Sequence, residues 1–165
     1  MKSLSIRRNP ARLVMAAAAA VVLAFAAQRA GADDTPKAPA SDKLSAARSA
    51  IAAADWRGAI DALRRADDPA SADWNNLMGY ALRKASPPDV AAAERHYDAA
   101  LRIDPKHRDA LEYSGELYLM TDRLSLAEQR LAALDRACML PCGQYTDLKK
   151  AVARYKAEHG AGAAR

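Results

Sequence analysis

The sequence predicts an all-α fold of about three helix–turn–helix repeats, stacked in chain order and closed by a last helix. Two observations carry this. First, three helix-sized segments align at a spacing of about 34 residues, the length of one helical hairpin repeat. They are WRGAIDALRRAD (56–67), VAAAERHYDAAL (90–101) and LSLAEQRLAALD (124–135). Ala59, Ala93 and Ala127 fall in register, then Leu63, Tyr97 and Leu131, then Ala66, Ala100 and Leu134. A small residue followed four and seven places later by apolar ones makes one helical stripe that must be buried. A fixed period of this kind marks a quasi-one-dimensional repeat stack. Second, alanine, leucine and charged residues dominate, while aromatics, valine and isoleucine are scarce and no strand-like alternation of useful length occurs.

The elements follow in order. Helices are expected at about 42–54 and 56–67, 72–84 and 88–102, 107–120 and 123–138, with a last one at about 144–158. Ser41 can cap the first. Asp68-Pro69 and Asp104-Pro105 break the chain between repeats, because the residue before proline avoids the helical region. Pro87 and Pro88 cannot continue a helix but can begin one. The last helix sets Tyr145, Leu148, Val152 and Tyr155 at helical spacing. Its role is to cover the apolar edge of the final repeat. Gly160 and the tail that follows end it.

The first halves of the repeats carry a resemblance. Gly115 has Leu111 before it, Tyr118 after it and Ala127 beyond; Gly79 has Leu82, Ala93, Tyr97, Ala100 and Pro105 after it. The step from Gly79 to Ala93 is two residues longer than that from Gly115 to Ala127, an insertion placed in KASPPDV (84–90). Over residues 42–136 or so, the chain resembles the tetratricopeptide repeat (TPR) family. Trp74 comes one residue before the place of the family's tryptophan, which Asn75 occupies. In the first repeat Ala47 stands for the glycine, and Lys43 falls where a large apolar residue belongs. The resemblance implies a short right-handed solenoid over 42–158. Its concave groove, lined by the first helices, would bind a peptide or partner helix. By approximate matching around the two glycines, the groove residues are Asn76, Tyr80, Arg83, Tyr113, Glu116 and Met120, with Arg48 and Ile51 extending it from the first repeat. Tyrosine, arginine and methionine there would supply contact area and polar selection. The family's clamp of Lys, Asn and Arg for a terminal carboxylate is not reproduced.

Residues 1–32 read as a signal peptide. Lys2, Arg7, Arg8 and Arg12 form a basic start, Leu13 to Ala27 is an uninterrupted apolar run, and Ala30-Gly31-Ala32 offers a small-x-small cleavage site. The run is short for a membrane span of ~20 residues. An uncleaved anchor is the competing reading. Arg7-Arg8 hints weakly at twin-arginine export, so the choice between that route and the general secretory one stays open. Residues 33–41 read as a flexible leader and 159–165 as a tail. The segment 1–32 holds 5 Lys or Arg and no acid; of the 25 basic and 20 acidic residues, 20 and 20 remain from Asp33 onward. The net charge of that part is zero, so no argument for nucleic acid survives.

Cys138 and Cys142 bracket the junction between the last repeat and the final helix. In an exported chain an even cysteine count fits one disulfide. Pro141 should end the helix near Met139, which places the pair across a tight turn. So short a loop gains less than the ~3 kcal/mol of a 15-residue loop, and its job would be to set the angle of the last helix. Two alternatives stand beside it. One is a soft-metal site for Cu(I) with Met139 or Met120. The other is a redox-active pair, disfavoured by C-x3-C spacing. His96, next to the core position of Tyr97, is expected to face solvent on the outer side. His107 lies in a turn and His159 near the end, both as surface residues. No catalytic triad, phosphate loop or paired histidine spacing is visible. The reading therefore assigns no catalytic residue, metal or cofactor. It expects a periplasmic interaction module for a protein or peptide of the cell envelope, not inserted in the membrane after cleavage. The alternative is a small copper or thiol-redox accessory protein. The partner and the oligomeric state stay open.

Overall fold

The computed structural model describes residues 42–140 and 142–160. The expected signal peptide, the leader with its capping Ser41, Pro141 and residues 161–165 lie outside them. Among the described residues the chain is all-α, with seven helices and no strand. They are α1 Ser45–Ala52, α2 Trp56–Ala66, α3 Ala72–Lys84, α4 Val90–Ile103, α5 Arg108–Met120, α6 Leu124–Ala137 and α7 Gly143–Gly160. Each expected helix is present, with its ends close to the expected ones.

Local chemistry explains most boundaries. Asp55, Ser71, Asp89 and His107 are N-caps whose side chains accept from the backbone N–H of Gly58, Trp74, Ala92 and Ala110. Each cap satisfies one of the donors that a helix start leaves free. The second helix of the middle repeat starts at Val90, after Asp89, rather than at Pro88. The first helix starts at Ser45, later than expected. Its N-cap Leu44 has no side-chain bond, and the Asp42 carboxylate instead accepts from the Leu44 N–H at 3.0 Å.

Consecutive helices pack in pairs, α1 on α2, α3 on α4 and α5 on α6. Each pair also touches the next: α2 meets α3, α4 meets α5, and α7 lies on both α5 and α6. The first helices meet one another as well, α1 with α3 and α3 with α5. The register stripe forms the core. Ala59, Leu63, Ala93, Tyr97, Ala100, Ala127 and Leu134 are completely buried, while Ala66 and Leu131 are partly so. Leu148 and Val152 of α7 join the same core. In the degenerate first repeat Leu44 is buried where Lys43 is exposed, so the apolar anchor sits one residue later.

Gly79 and Gly115 are contact points. A Cβ on Gly79 would stand 2.9 Å from the Tyr97 ring and 3.0 Å from the Ala93 carbonyl oxygen. A Cβ on Gly115 would stand 2.6 Å from Leu148 of α7. Two hairpin turns share a device. Ala54 and Asp122, two repeat periods apart, both adopt left-handed backbone, at φ 55° and 58°. The equivalent position in the middle repeat is Pro88, whose ring fixes φ in the negative region. That turn cannot reverse in the same way, and it runs from Ala85 to Asp89 where the other two are shorter. The insertion falls where the sequence placed it.

Candidate functional site

The six groove residues named above lie on α3 and α5, and the structure brings most of them together. Tyr80, Arg83 and Asn76 fall on one stripe of α3 by helical spacing. The Tyr80 and Tyr113 rings meet with centroids 4.6 Å apart. The Arg83 guanidinium lies over both, 5.5 Å and 5.7 Å from their centres. Its Nη2 donates to Glu116 Oε2 at 2.8 Å, and its Nη1 reaches Met120 Sδ at 3.7 Å. Tyr113 is also 6.5 Å from Tyr97, and Trp56 of α2 meets Tyr80 edge-on at 5.8 Å. The surface is thus an aromatic and methionine patch with an internal ion pair.

The residues differ in access. Tyr80, Tyr113 and Glu116 are half-buried, and Met120 is 54% exposed. Asn76 and Arg83 are 3% and 8% exposed. Both are buried instead of displayed, and Arg83 ties α3 to α5 through Glu116. Burial works against the Arg83 charge, but the Glu116 carboxylate to which it donates keeps the guanidinium charged. Arg83 is a strut between first helices with one edge towards the patch. Arg48 is exposed and paired with Asp42 and Asp73, at the start of the helices, away from the patch residues; Ile51 is half-buried.

Among the described residues, three buried polar atoms near this patch have no hydrogen-bond partner of good geometry: Asn76 Oδ1, Arg83 Nε and Tyr97 Oη. Tyr97 belongs to α4, but its ring passes over Gly79, and its hydroxyl lies near Arg83, Glu116 and Tyr113. Burial raises the pKa of Tyr97 and pushes that of Tyr113 up to about 12, so both hydroxyls stay protonated. Sequence reasoning missed one member of the site, Glu112. It stands one turn before Glu116 on α5, half-buried. Burial, and then the carboxylates of Glu116, Asp147 and Asp109, push it up to about 7, with Arg83 acting against them. Its position three residues before Gly115 mirrors that of Asn76 before Gly79, a register that could have exposed it.

His96 does not face solvent freely. Its ring stands edge-on to Trp74 at 5.6 Å, and Nδ1 lies 3.1 Å from Asn75 Oδ1, so Nδ1 carries the proton in this contact. Burial, and then the Arg95 charge, lower its pKa. Trp74 and Asn75 are both buried: Trp74 Nε1 donates to the Leu63 carbonyl at 2.7 Å, and Asn75 Nδ2 to those of Pro69 and Ser71. His107 is no surface residue either; only 10% of its side chain is exposed.

Cys138 and Cys142 form a disulfide with their Cα atoms 6.0 Å apart. Helix α6 ends at Ala137, before the bridge. Joined to each other, the two sulfurs offer no thiolate to a metal in this state. The bridge displays Met139 and Leu140 to solvent. No group of three or more His, Cys, Asp or Glu suited to a metal occurs among the described residues. No helix among them is long and apolar enough to cross a membrane. Compared with known proteins, the chain matches no family model and no curated sequence.

Proposed function

We propose that the protein is a TPR-like interaction module of the periplasm, exported through residues 1–32 and without enzymatic activity of its own. In this reading the hairpins stack as a short right-handed solenoid capped by α7, and the first helices line a concave face that binds an extended peptide or helix. The observation that carries it is the patch shared by α3 and α5: Tyr80 against Tyr113, with Met120 exposed beside them, on consecutive first helices. Aromatic side chains of this kind are frequent interface anchors. Packing of each first helix on the next supports the solenoid.

Photo-cross-linking in intact cells tests the reading. A photoreactive residue at Met120 should trap a discrete envelope partner, and one at exposed Arg95 on α4 should not. Equal trapping from both positions, or none from Met120, would overturn the groove assignment. N-terminal sequencing of the envelope form should begin at Asp33. An intact Met1 in membranes would sink the export reading.

A further inference from the structure

The tyrosine pair of the groove belongs to a longer row. Trp56, at the start of α2, meets Tyr80 edge-on at 5.8 Å, and Tyr80 meets Tyr113 at 4.6 Å. One ring from each hairpin thus joins a single ladder, and all three are half-buried. Neighbouring rings touch, so the ladder leaves no hole between them for the knobs of a docked helix. Flat pyrrolidine rings need none. Trp56 and Tyr113, on either side of Tyr80, stand about 10 Å apart at most. A polyproline II helix presents every third residue on one face, at a repeat of ~9 Å. The Trp56 end also borders a cleft of about 520 Å³, lined by Ile60, Arg57 and Asp61 among others. Charge at that end is uneven. Asp61 is held by Arg64 at 3.4 Å, and Asp55 caps α2. Exposed Lys84 stands over the Trp56 ring at 6.0 Å, and neither it nor exposed Arg57 joins an ion pair among the described residues. At the α5 end, Glu116 is already occupied by Arg83 at 2.8 Å.

We infer that the segment bound in the groove is proline-rich and extended as a polyproline II helix, with two prolines three places apart on Trp56 and Tyr113 and an acidic residue at Lys84 and Arg57. This rests on the proposed groove and adds the chemistry of its occupant. Proline suits the surface for a second reason. It has no backbone N–H, so such a segment brings mainly carbonyl acceptors, which the Tyr80 and Tyr113 hydroxyls can meet as donors. It is also extended before it binds, which lowers the cost of ordering.

The test titrates the isotope-labelled protein with a synthetic peptide repeating Pro-Pro-Glu, followed by amide and indole NMR. Its counterparts repeat Ala-Ala-Glu or Pro-Pro-Lys, and a chitin oligosaccharide serves as a glycan that can stack on the same rings. The Pro-Pro-Glu peptide should shift the Trp56 indole and the amides of Tyr80, Lys84 and Tyr113 first. Trp56→Ala should weaken it ~10-fold or more. Lys84→Ala, at an exposed site that should leave folding near normal, should weaken it several-fold and flatten its salt dependence. Equal binding of the Ala-Ala-Glu peptide, unchanged affinity in Trp56→Ala, or shifts confined to other surfaces would refute the inference. Equal binding of Pro-Pro-Lys, or unchanged affinity in Lys84→Ala, would remove its acidic half. Shifts of the ladder by the oligosaccharide alone would assign the rings to glycan and overturn it. If no proline peptide binds while Met120 still traps a partner in cells, the groove stands and this inference falls; if neither occurs, both fall.

Discussion

Asp73 and His107 are one repeat apart, and their side chains meet at 3.0 Å, Oδ1 against Nε2. His107 caps α5 with Nδ1, which accepts from the Ala110 N–H at 3.2 Å, so Nε2 holds the proton and donates to Asp73. The contact recurs one repeat later, where Gln144 Nε2 donates to Asp109 Oδ1 at 2.8 Å. In both, a carboxylate in the first turn of one first helix is held by the start of the next. Asp73 also receives Arg48 at 3.1 Å, which extends the chain of contacts to α1. The second helices have their own ties: Glu94 to Arg123 through two bonds of 2.8 Å, and Asp98 to Arg130 at 3.0 Å.

His107→Ala removes a cap and an inter-repeat bond together. It should cost ~1–2 kcal/mol in urea unfolding. His107→Asn, which can keep the cap but does not reach Asp73, should recover about half of the loss. An Asn variant as unstable as the Ala variant would show that the cap contributes little.

Arg83→Ala should destabilise by ~2–3 kcal/mol, because it leaves Glu116 without its cation and opens space under Tyr80 and Tyr113. Glu116 is one-third exposed, which keeps the figure below that of a fully buried pair. A thermal melt within about 0.5 kcal/mol of the parent, the usual result at an exposed site, would contradict the buried strut.

Ala54→Gly should stabilise the fold by ~0.5–1 kcal/mol, since alanine in the left-handed region crowds its own carbonyl and glycine does not. Chemical denaturation checks the sign. A loss of stability would mean that the entropy of glycine in the unfolded chain outweighs the strain relieved.

Glu112 makes the fold weaker as pH rises. An ordinary glutamate titrates near ~4.3, whereas burial and neighbouring carboxylates place Glu112 at about 7. Between these values the folded state holds the extra proton, so the stabilisation is whole in acid and is lost as pH climbs through 7. Glu112→Gln should remove that slope and gain ~1 kcal/mol at alkaline pH, a figure discounted because the side chain is only partly buried. Equal slopes in parent and variant would assign the pH dependence to other groups.

The sequence alone determined the helices, their order and the buried stripe. These are local properties. The shared register of Ala59, Ala93 and Ala127 states which face of each helix is apolar, and burial of all three follows. Capping residues and prolines mark ends through backbone sterics and single hydrogen bonds, and two cysteines four apart can reach one another. The tertiary structure decided what lies across the seams. Nothing local in His96 points to Asn75, in His107 to Asp73, or in Arg83 to Glu116. Those contacts depend on how closely and at what level two helices approach. The same approach buries Asn76 and Arg83 while leaving Met120 in water, though all three share the groove register. It also isolates Glu112 among carboxylates, because the charge on a side chain depends on neighbours brought in from α3 and α7.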